Sequence, residues 1–179
     1  VVQCHTGPGR RRLGLLHELL DGYDLPPEAI YPTHINRTEA LVDDAITLAR
    51  RGCFVDMDTV EEDAVERLPY YLAGGGPADR ITLSSDAHTP GGSMRKLFGQ
   101  LAACVREAGL PLETVLACCT SNPAAALKLP AKGSLAPGKD ADVLILRQDS
   151  LEIVHLFARG RHLIRDGRYV EPSRQEKQV

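Results

Sequence analysis

Short apolar segments alternate with longer amphipathic ones along the first two thirds of the chain. The apolar segments begin at Val1, Ile30, Cys53 and Ile81, and each leads through a loop into residues whose apolar side chains recur at helical spacing. A repeat of strand, loop and helix is typical of parallel strands joined by crossover helices. The pattern therefore predicts an α/β fold with four strand–helix units.

The predicted helices end at recognisable stop signals. The first carries the leucines of 13–20 and ends at Gly22, and the fourth carries the apolar residues of 97–105 and ends at Gly109. Between them, helices are predicted at 41–49 and at 64–73. Two shorter helices are predicted to follow, around 112–116 and 121–127.

The last third of the chain has a different pattern. Strand-like segments at 142–146, 153–158 and 163–170 are separated or interrupted by the turn pairs Arg159–Gly160 and Asp166–Gly167. We therefore predict a division into 1–130, with the strand–helix units, and 131–179, a small β appendage. Its polar end, Glu171 to Val179, is expected to fray.

Polar residues stand at the carboxyl ends of the four predicted parallel strands. They are His5, His34, Asp56 or Asp58, and Asp86. In a (β/α)8 barrel this end forms the rim on which active sites are built. A doubly wound sheet uses the same end, but no GxGxxG follows any strand here. Four units make half of a barrel of about 250 residues, so we expect further strands upstream.

The rim residues form a plausible set of metal ligands. Two imidazoles and one carboxylate, from His5, His34 and Asp86, are a common ligand set for catalytic zinc or non-haem iron. Arg37 follows His34 on the same loop, where its fork of donors could hold a substrate carboxylate. His88 is close enough to touch substrate, although a solvent-exposed loop position is favoured.

The remaining histidines are interpreted as surface residues. His17 lies within the first predicted helix, and His155 and His162 lie within the β appendage.

Composition excludes several classes of protein. Lys and Arg number 21 and Asp and Glu 24, and this formal net charge of −3 disfavours a binder of nucleic acid. No apolar run approaches the roughly 18 residues of a membrane-spanning helix, and the first residues do not resemble a secretory signal. The cysteine count of five is odd, with Cys118 and Cys119 adjacent, which favours a reducing, cytoplasmic setting.

Three segments carry a resemblance to a known family. The string YPTHINR from Tyr31 to Arg37, with His5 upstream and ITLSSD ending at Asp86, resembles isoaspartyl (β-aspartyl) dipeptidase of the amidohydrolase superfamily. The segments TSNPA, from Thr120, and GSLAPGKDAD, from Gly133, resemble the stretch in which many amidohydrolases return from the barrel to a small β-sandwich. The resemblance covers nearly all of this chain but only the C-terminal half of such an enzyme, from the fifth barrel strand onwards.

The resemblance implies a binuclear zinc hydrolase of isoaspartyl dipeptides. His5 and His34 would ligate one metal and Asp86 the other, and Asp86 would also act as general acid and base towards water and the leaving amine. Arg37 would hold a carboxylate of the dipeptide. The family's His-x-His pair on the first strand and its carboxylated bridging Lys have no counterpart in this sequence.

Two alternatives stay open at this point. The loop from Ala87 to Ser93 departs from the family, which allows another amidohydrolase reaction, by a cyclic amidase or a deaminase. An inactive, truncated half-barrel is the other alternative. Because half a barrel leaves strand edges open, we expect a homo-oligomer or association with the missing half.

Overall fold

A computed structural model describes residues 1–61, 63–88 and 93–170 of the chain. Its helices are α1 Gly14–Gly22, α2 Glu39–Arg50, α3 Ala64–Ala73, α4 Met94–Arg106, α5 Leu112–Cys119 and α6 Ser121–Ala126. Its strands are β1 Val2–His5, β2 Ile30–Thr33, β3 Val55–Asp58, β4 Ile81–Ser84, β5 Val143–Leu146, β6 Ile153–Ala158, β7 Arg161–Arg165 and β8 Arg168–Tyr169. Short 3₁₀ helices occupy Pro27–Ala29 and Ile35–Arg37.

The predicted α/β fold is confirmed. Each of the strands β1 to β4 is followed in the chain by a helix, and the strands that pair do so in parallel. The boundaries differ from the predicted ones by a few residues. The segment from Ile30, for example, leaves the extended conformation at Thr33, because His34 adopts a left-handed backbone with φ +65° and the 3₁₀ turn follows.

The four parallel strands form two hydrogen-bonded pairs. β1 pairs with β2, with His5 opposite Thr33, and β3 pairs with β4, with Asp58 opposite Ser84. β2 and β3 lie beside each other but belong to separate two-stranded sheets. Contacts other than a backbone ladder therefore have to hold these two strands in register.

The two faces of β3 and β4 differ in polarity, as the alternation of a strand requires. One face packs with the helices in an apolar core and carries Val55, Met57, Ile81 and Leu83. The opposite face carries Asp56, Asp58, Thr82 and Ser84, and the adjacent β2 adds Tyr31 and Thr33. A polar face at the carboxyl ends of parallel strands is where an α/β fold places its chemistry.

The chain divides into two compact units, Val1–Lys128 and Leu129–Val179. In the second unit β5, β6, β7 and β8 form an antiparallel sheet in that order. Both turn pairs predicted in this region are present, and all four residues have positive φ, as tight hairpin turns require. The predicted frayed end, 171–179, lies outside the described residues.

All five cysteines are free, and Cys53, Cys104 and Cys118 are buried. Among the described residues, no helix combines the length and the apolar character needed to span a bilayer.

Two glycines give a matched test of the packing in the first unit. A Cβ on Gly76 would overlap ring atoms of the fully buried Tyr71, whereas a Cβ on Gly99, in the middle of α4, would meet no atom within 4 Å. We expect Gly76→Ala to lower the free energy of unfolding by about 1–3 kcal/mol through overpacking. Gly99→Ala should raise it by about 1 kcal/mol through helix propensity. Urea unfolding measures both changes, and equal effects would contradict the packing described for Tyr71.

Candidate metal centre

The structure brings two of the predicted ligands into direct contact. His5 ends β1 on an exposed part of the surface, and His34 follows the end of the neighbouring β2 and is buried. The Nδ1 atom of His5 lies 2.9 Å from Nε2 of His34, and the two rings are tilted by 54° with centroids 4.9 Å apart. The parallel pairing of β1 with β2 produces this contact, because it aligns the carboxyl ends of both strands.

The other ring nitrogen of His34 is held by a carboxylate. Its Nδ1 lies 2.7 Å from Oδ2 of Asp58, and both side chains are 6% exposed. The second carboxylate oxygen, Oδ1, accepts a hydrogen bond from the backbone N–H of Val60 at 3.0 Å. His34 therefore faces Asp58 with one nitrogen and His5 with the other.

Asn36 joins the loop after β2 to the end of β3. Its Nδ2 donates to the backbone carbonyl of Asp58 at 3.0 Å, and its Oδ1 accepts from the backbone N–H of Asp58 at 3.2 Å. The same Nδ2 donates to Oδ1 of Asp63, just before α3, at 2.7 Å. This buried amide thus fixes the backbone on both sides of the residue that binds His34.

One pleat below the rim, Asp56 connects three strands. Its carboxylate accepts hydrogen bonds from the hydroxyls of Thr33 at 2.6 Å, Thr82 at 2.6 Å and Ser84 at 2.7 Å. The Tyr31 hydroxyl lies 2.6 Å from that of Thr82. Complete burial raises the pKa of the Asp56 carboxyl above its ordinary value, and the three hydroxyl donors counteract part of that rise.

Asp86 lies beyond the end of β4 and has a left-handed backbone, with φ +43°. Its side chain is 13% exposed and pairs with His88, whose Nδ1 lies 3.1 Å from Oδ1 of Asp86. His88 itself is 74% exposed, which agrees with the solvent-exposed loop position favoured for it. Its contact with Asp86 was not predicted from the sequence. Residues 89–92 of the loop after His88 lie outside the described residues.

Arg37 connects the loops that follow β1 and β2. Its Nη1 donates to the backbone carbonyl of Thr6 at 3.2 Å, and Thr6 in turn donates its hydroxyl to the carbonyl of Thr33 at 2.6 Å. A Cβ on Gly7 would lie 3.7 Å from the same Nη1 atom. Arg37 is exposed, so a cationic fork stands on the same rim as His5 and His34.

The histidine pair fits a divalent metal in its chemistry. Nδ1 of His5 and Nε2 of His34 face each other 2.9 Å apart, and imidazole nitrogens are ordinary ligands of zinc. Imidazole suits zinc, iron and other divalent metals of this series. Within the described ranges, however, no three His, Cys, Asp or Glu side chains are grouped closely enough to hold a metal ion. The ligand role of Asp86 therefore stays a prediction, as do the roles of His5, His34 and Arg37.

The histidines interpreted as surface residues have polar partners of their own. His17 accepts a hydrogen bond from Arg51 at 3.3 Å. His155 and His162 lie in the second unit with ring nitrogens 3.2 Å apart, and Phe157 stacks on His162.

Asp56, Asp58 and Asn36 organise the site, but the sequence assigns none of them a defined role. The sequence leaves open whether Asp56 or Asp58 belongs to the rim; in the structure Asp58 contacts His34 at the rim, and Asp56 lies one pleat below it. Strand alternation places both carboxylates on one face of β3. Asp58 is the last residue of the strand and is therefore the nearer of the two to the rim. Nothing in the string containing Asn36 distinguishes a side chain that binds β3 from one that faces solvent.

Solved structures confirm the resemblance to β-aspartyl dipeptidases. The chain superimposes on the β-aspartyl dipeptidase of Fervidobacterium islandicum AW-1 in complex with β-Asp-Leu dipeptide with a TM-score of 0.89 and 28% identity. A second structure of that enzyme gives a TM-score of 0.86 and 30% identity. Both alignments cover 97% of this chain, but 50% and 48% of the enzyme chains. The chain thus spans about half the length of these proteins.

Curated relatives of this chain are named adenine deaminases rather than dipeptidases. Adenine deaminase 2 of Bradyrhizobium diazoefficiens is 31% identical over 125 residues, which are 67% of this chain and 20% of the deaminase. The model of the Amidohydrolase family matches residues 29–168, well over half of the chain and including the loop that carries His34, Asn36 and Arg37. Because this match extends over most of the chain, the chain belongs to the amidohydrolase family.

Proposed function

We propose that this chain takes part in metal-dependent hydrolysis of the amide bond of isoaspartyl (β-aspartyl) dipeptides. The observation that carries the proposal is the contact between His5 and His34 at the ends of neighbouring parallel strands, in a chain with a TM-score of 0.89 to a β-aspartyl dipeptidase. Members of the amidohydrolase family typically bind metal, and two imidazoles suit zinc. The cofactor proposed is therefore zinc, in a binuclear centre to which this chain contributes part of the ligands.

The residues of this chain have separate roles in the proposed reaction. His5 and His34 would hold one metal ion, and Asp86 would ligate the second. Bound divalent cations supply Lewis acidity and make water a sufficiently strong nucleophile near neutral pH. Asp86 accepts the proton of the attacking water and passes it to the leaving amine, as a general acid and base must.

Arg37 is proposed to bind a carboxylate of the dipeptide. Its hydrogen bond to the Thr6 carbonyl fixes the guanidinium above the loop that follows His5. A planar guanidinium can bind a carboxylate through two parallel hydrogen bonds, which sets the orientation of the substrate as well as its affinity. The substrate would thereby present its amide to the rim on which the histidines stand.

We further propose that residues 1–130 are strands 5 to 8 of a (β/α)8 barrel with their helices, and that 131–179 contribute strands of a small β-sandwich. The parallel pairs β1–β2 and β3–β4 support the first assignment, and the antiparallel sheet β5–β8 supports the second. The remaining barrel strands would come from other residues of the same protein or from a partner chain. Five free cysteines support a reducing, cytoplasmic setting.

A deaminase reaction is the second candidate. The 31% identity to an adenine deaminase over 125 residues favours it, and so does the departure of the loop after Asp86 from the dipeptidase pattern. Both reactions require an activated water and a carboxylate that moves protons, so the rim residues suit either. The two candidates differ in the substrate that Arg37 would meet, because adenine has no carboxylate.

Metal content tests the role of the histidine pair. We expect zinc in the complete protein, and we expect His5→Ala to lose at least one equivalent because one imidazole of the proposed ligand pair is removed. Elemental analysis after gel filtration measures both. His17→Ala, in α1, is the matched control and should retain the full metal content. Zinc absent from all variants would favour the inactive half-barrel.

Turnover of β-Asp-Leu and of adenine by the complete protein separates the two enzymatic candidates. We expect the dipeptide to be cleaved and adenine to be left unchanged. Arg37→Met should raise KM for the dipeptide by roughly tenfold or more, through the loss of a charge-assisted, bidentate contact. Deamination of adenine without dipeptide cleavage would replace the present proposal by the second candidate.

Light scattering tests whether the 179-residue chain needs further strands. Within the described residues, β1 and β4 each pair with one strand only, and Val2 on β1 is 65% exposed. Open strand edges promote association, so we expect the isolated chain to form oligomers or aggregates. A stable, monodisperse monomer would contradict the half-barrel assignment.

A further inference from the structure

We infer that Asp58 is a positioning residue that fixes the tautomer of His34, so that the lone pair of Nε2 faces His5. The inference deepens the proposed function and rests on it for the role of His34 as a metal ligand. Asp58 has no counterpart among the ligands that the family resemblance assigns. It acts on the site through His34 rather than on the substrate.

The carboxylate of Asp58 leaves His34 one favourable tautomer. An ionised carboxylate is only an acceptor, so the short contact of 2.7 Å from Oδ2 to Nδ1 requires the imidazole proton on Nδ1. The other ring nitrogen, Nε2, then carries the lone pair and lies 2.9 Å from Nδ1 of His5. A neutral imidazole that donates one nitrogen to a carboxylate is a common arrangement behind a metal-ligating histidine.

The surroundings of Asp58 hold this carboxylate in one orientation. Its Oδ1 is occupied by the N–H of Val60 at 3.0 Å, which leaves Oδ2 for His34. Its backbone N–H and carbonyl are both bound by the amide of Asn36, at 3.2 and 3.0 Å. Because the Asp58 and His34 side chains are each 6% exposed, water competes little for their hydrogen bond.

The same contacts make the isosteric amide an informative replacement. In Asp58→Asn the side-chain oxygen should remain opposite the Val60 N–H, since an NH₂ group there would face another donor. The NH₂ group then occupies the position of Oδ2 and donates to Nδ1 of His34. The imidazole proton has to move to Nε2, the nitrogen that faces His5.

The experiment records long-range ¹H–¹⁵N correlation spectra of the metal-free complete protein labelled with ¹⁵N-histidine, at about pH 8, where imidazoles in general are neutral. The signals of His34 are identified among those of all histidines by their loss in His34→Gln. We expect the proton on Nδ1 in the unmodified protein and on Nε2 in Asp58→Asn. Zinc affinity, measured by competition with a chromophoric chelator, should fall by about 10–100-fold in the variant.

Asp56→Asn is the matched control. It replaces another buried carboxylate of the same strand, two residues earlier, whose recorded partners are the hydroxyls of Thr33, Thr82, Ser84 and Tyr31 rather than a histidine. We expect this variant to lower the midpoint of thermal unfolding while the tautomer of His34 stays that of the unmodified protein. A general loss of order on β3 would instead change the His34 signals in both variants.

Two results would overturn the inference. One is a proton on Nε2 of His34 in the unmodified protein, and the other is a proton that stays on Nδ1 in a folded Asp58→Asn. Failure of the proposed function gives a different result, in which the tautomer inverts as expected while the unmodified protein neither binds zinc nor cleaves β-Asp-Leu. That result would support the positioning role of Asp58 and reject the dipeptidase.

Discussion

The arrangement of the rim depends on a buried carboxylate that joins three strands. β2 and β3 belong to different two-stranded sheets, and the hydroxyls of Thr33 on β2 and Ser84 on β4 bind the same oxygen of Asp56 on β3. A buried carboxylate without hydrogen-bond donors is strongly unfavourable. The donors must therefore stay in place, and they fix the strand ends from which His34 and Asp86 extend.

A second contact across the same boundary positions the side chain of His34. Asn36 binds both backbone groups of Asp58, so the loop after β2 follows the end of β3. This loop begins with the left-handed backbone of His34, a conformation uncommon for residues other than glycine. Partners on both sides hold it there, since unusual backbone conformations persist where the surrounding structure determines them.

The sequence predicted the elements well because each depends on local pattern. Strand alternation, helical spacing and the turn pairs at 159–160 and 166–167 are readable within a few residues. The contact of His5 with His34 followed from parallel pairing, which aligns strand ends. The bond from Asp58 to His34 could not be predicted, because it depends on the side-chain register between β2 and β3. That register is set by hydroxyls and an amide whose residue types are equally common at a solvated surface.

The two histidines differ in how firmly the protein holds them, and this difference bears on how a metal would bind. His34 is buried and hydrogen-bonded to Asp58. His5 lies at the exposed end of β1, where its side chain contacts that of His34. Asp58 therefore fixes the orientation of His34, and His34 in turn orients His5 through the contact between their ring nitrogens. A metal ion that takes both nitrogens would meet one ligand already oriented and would have to immobilise the other.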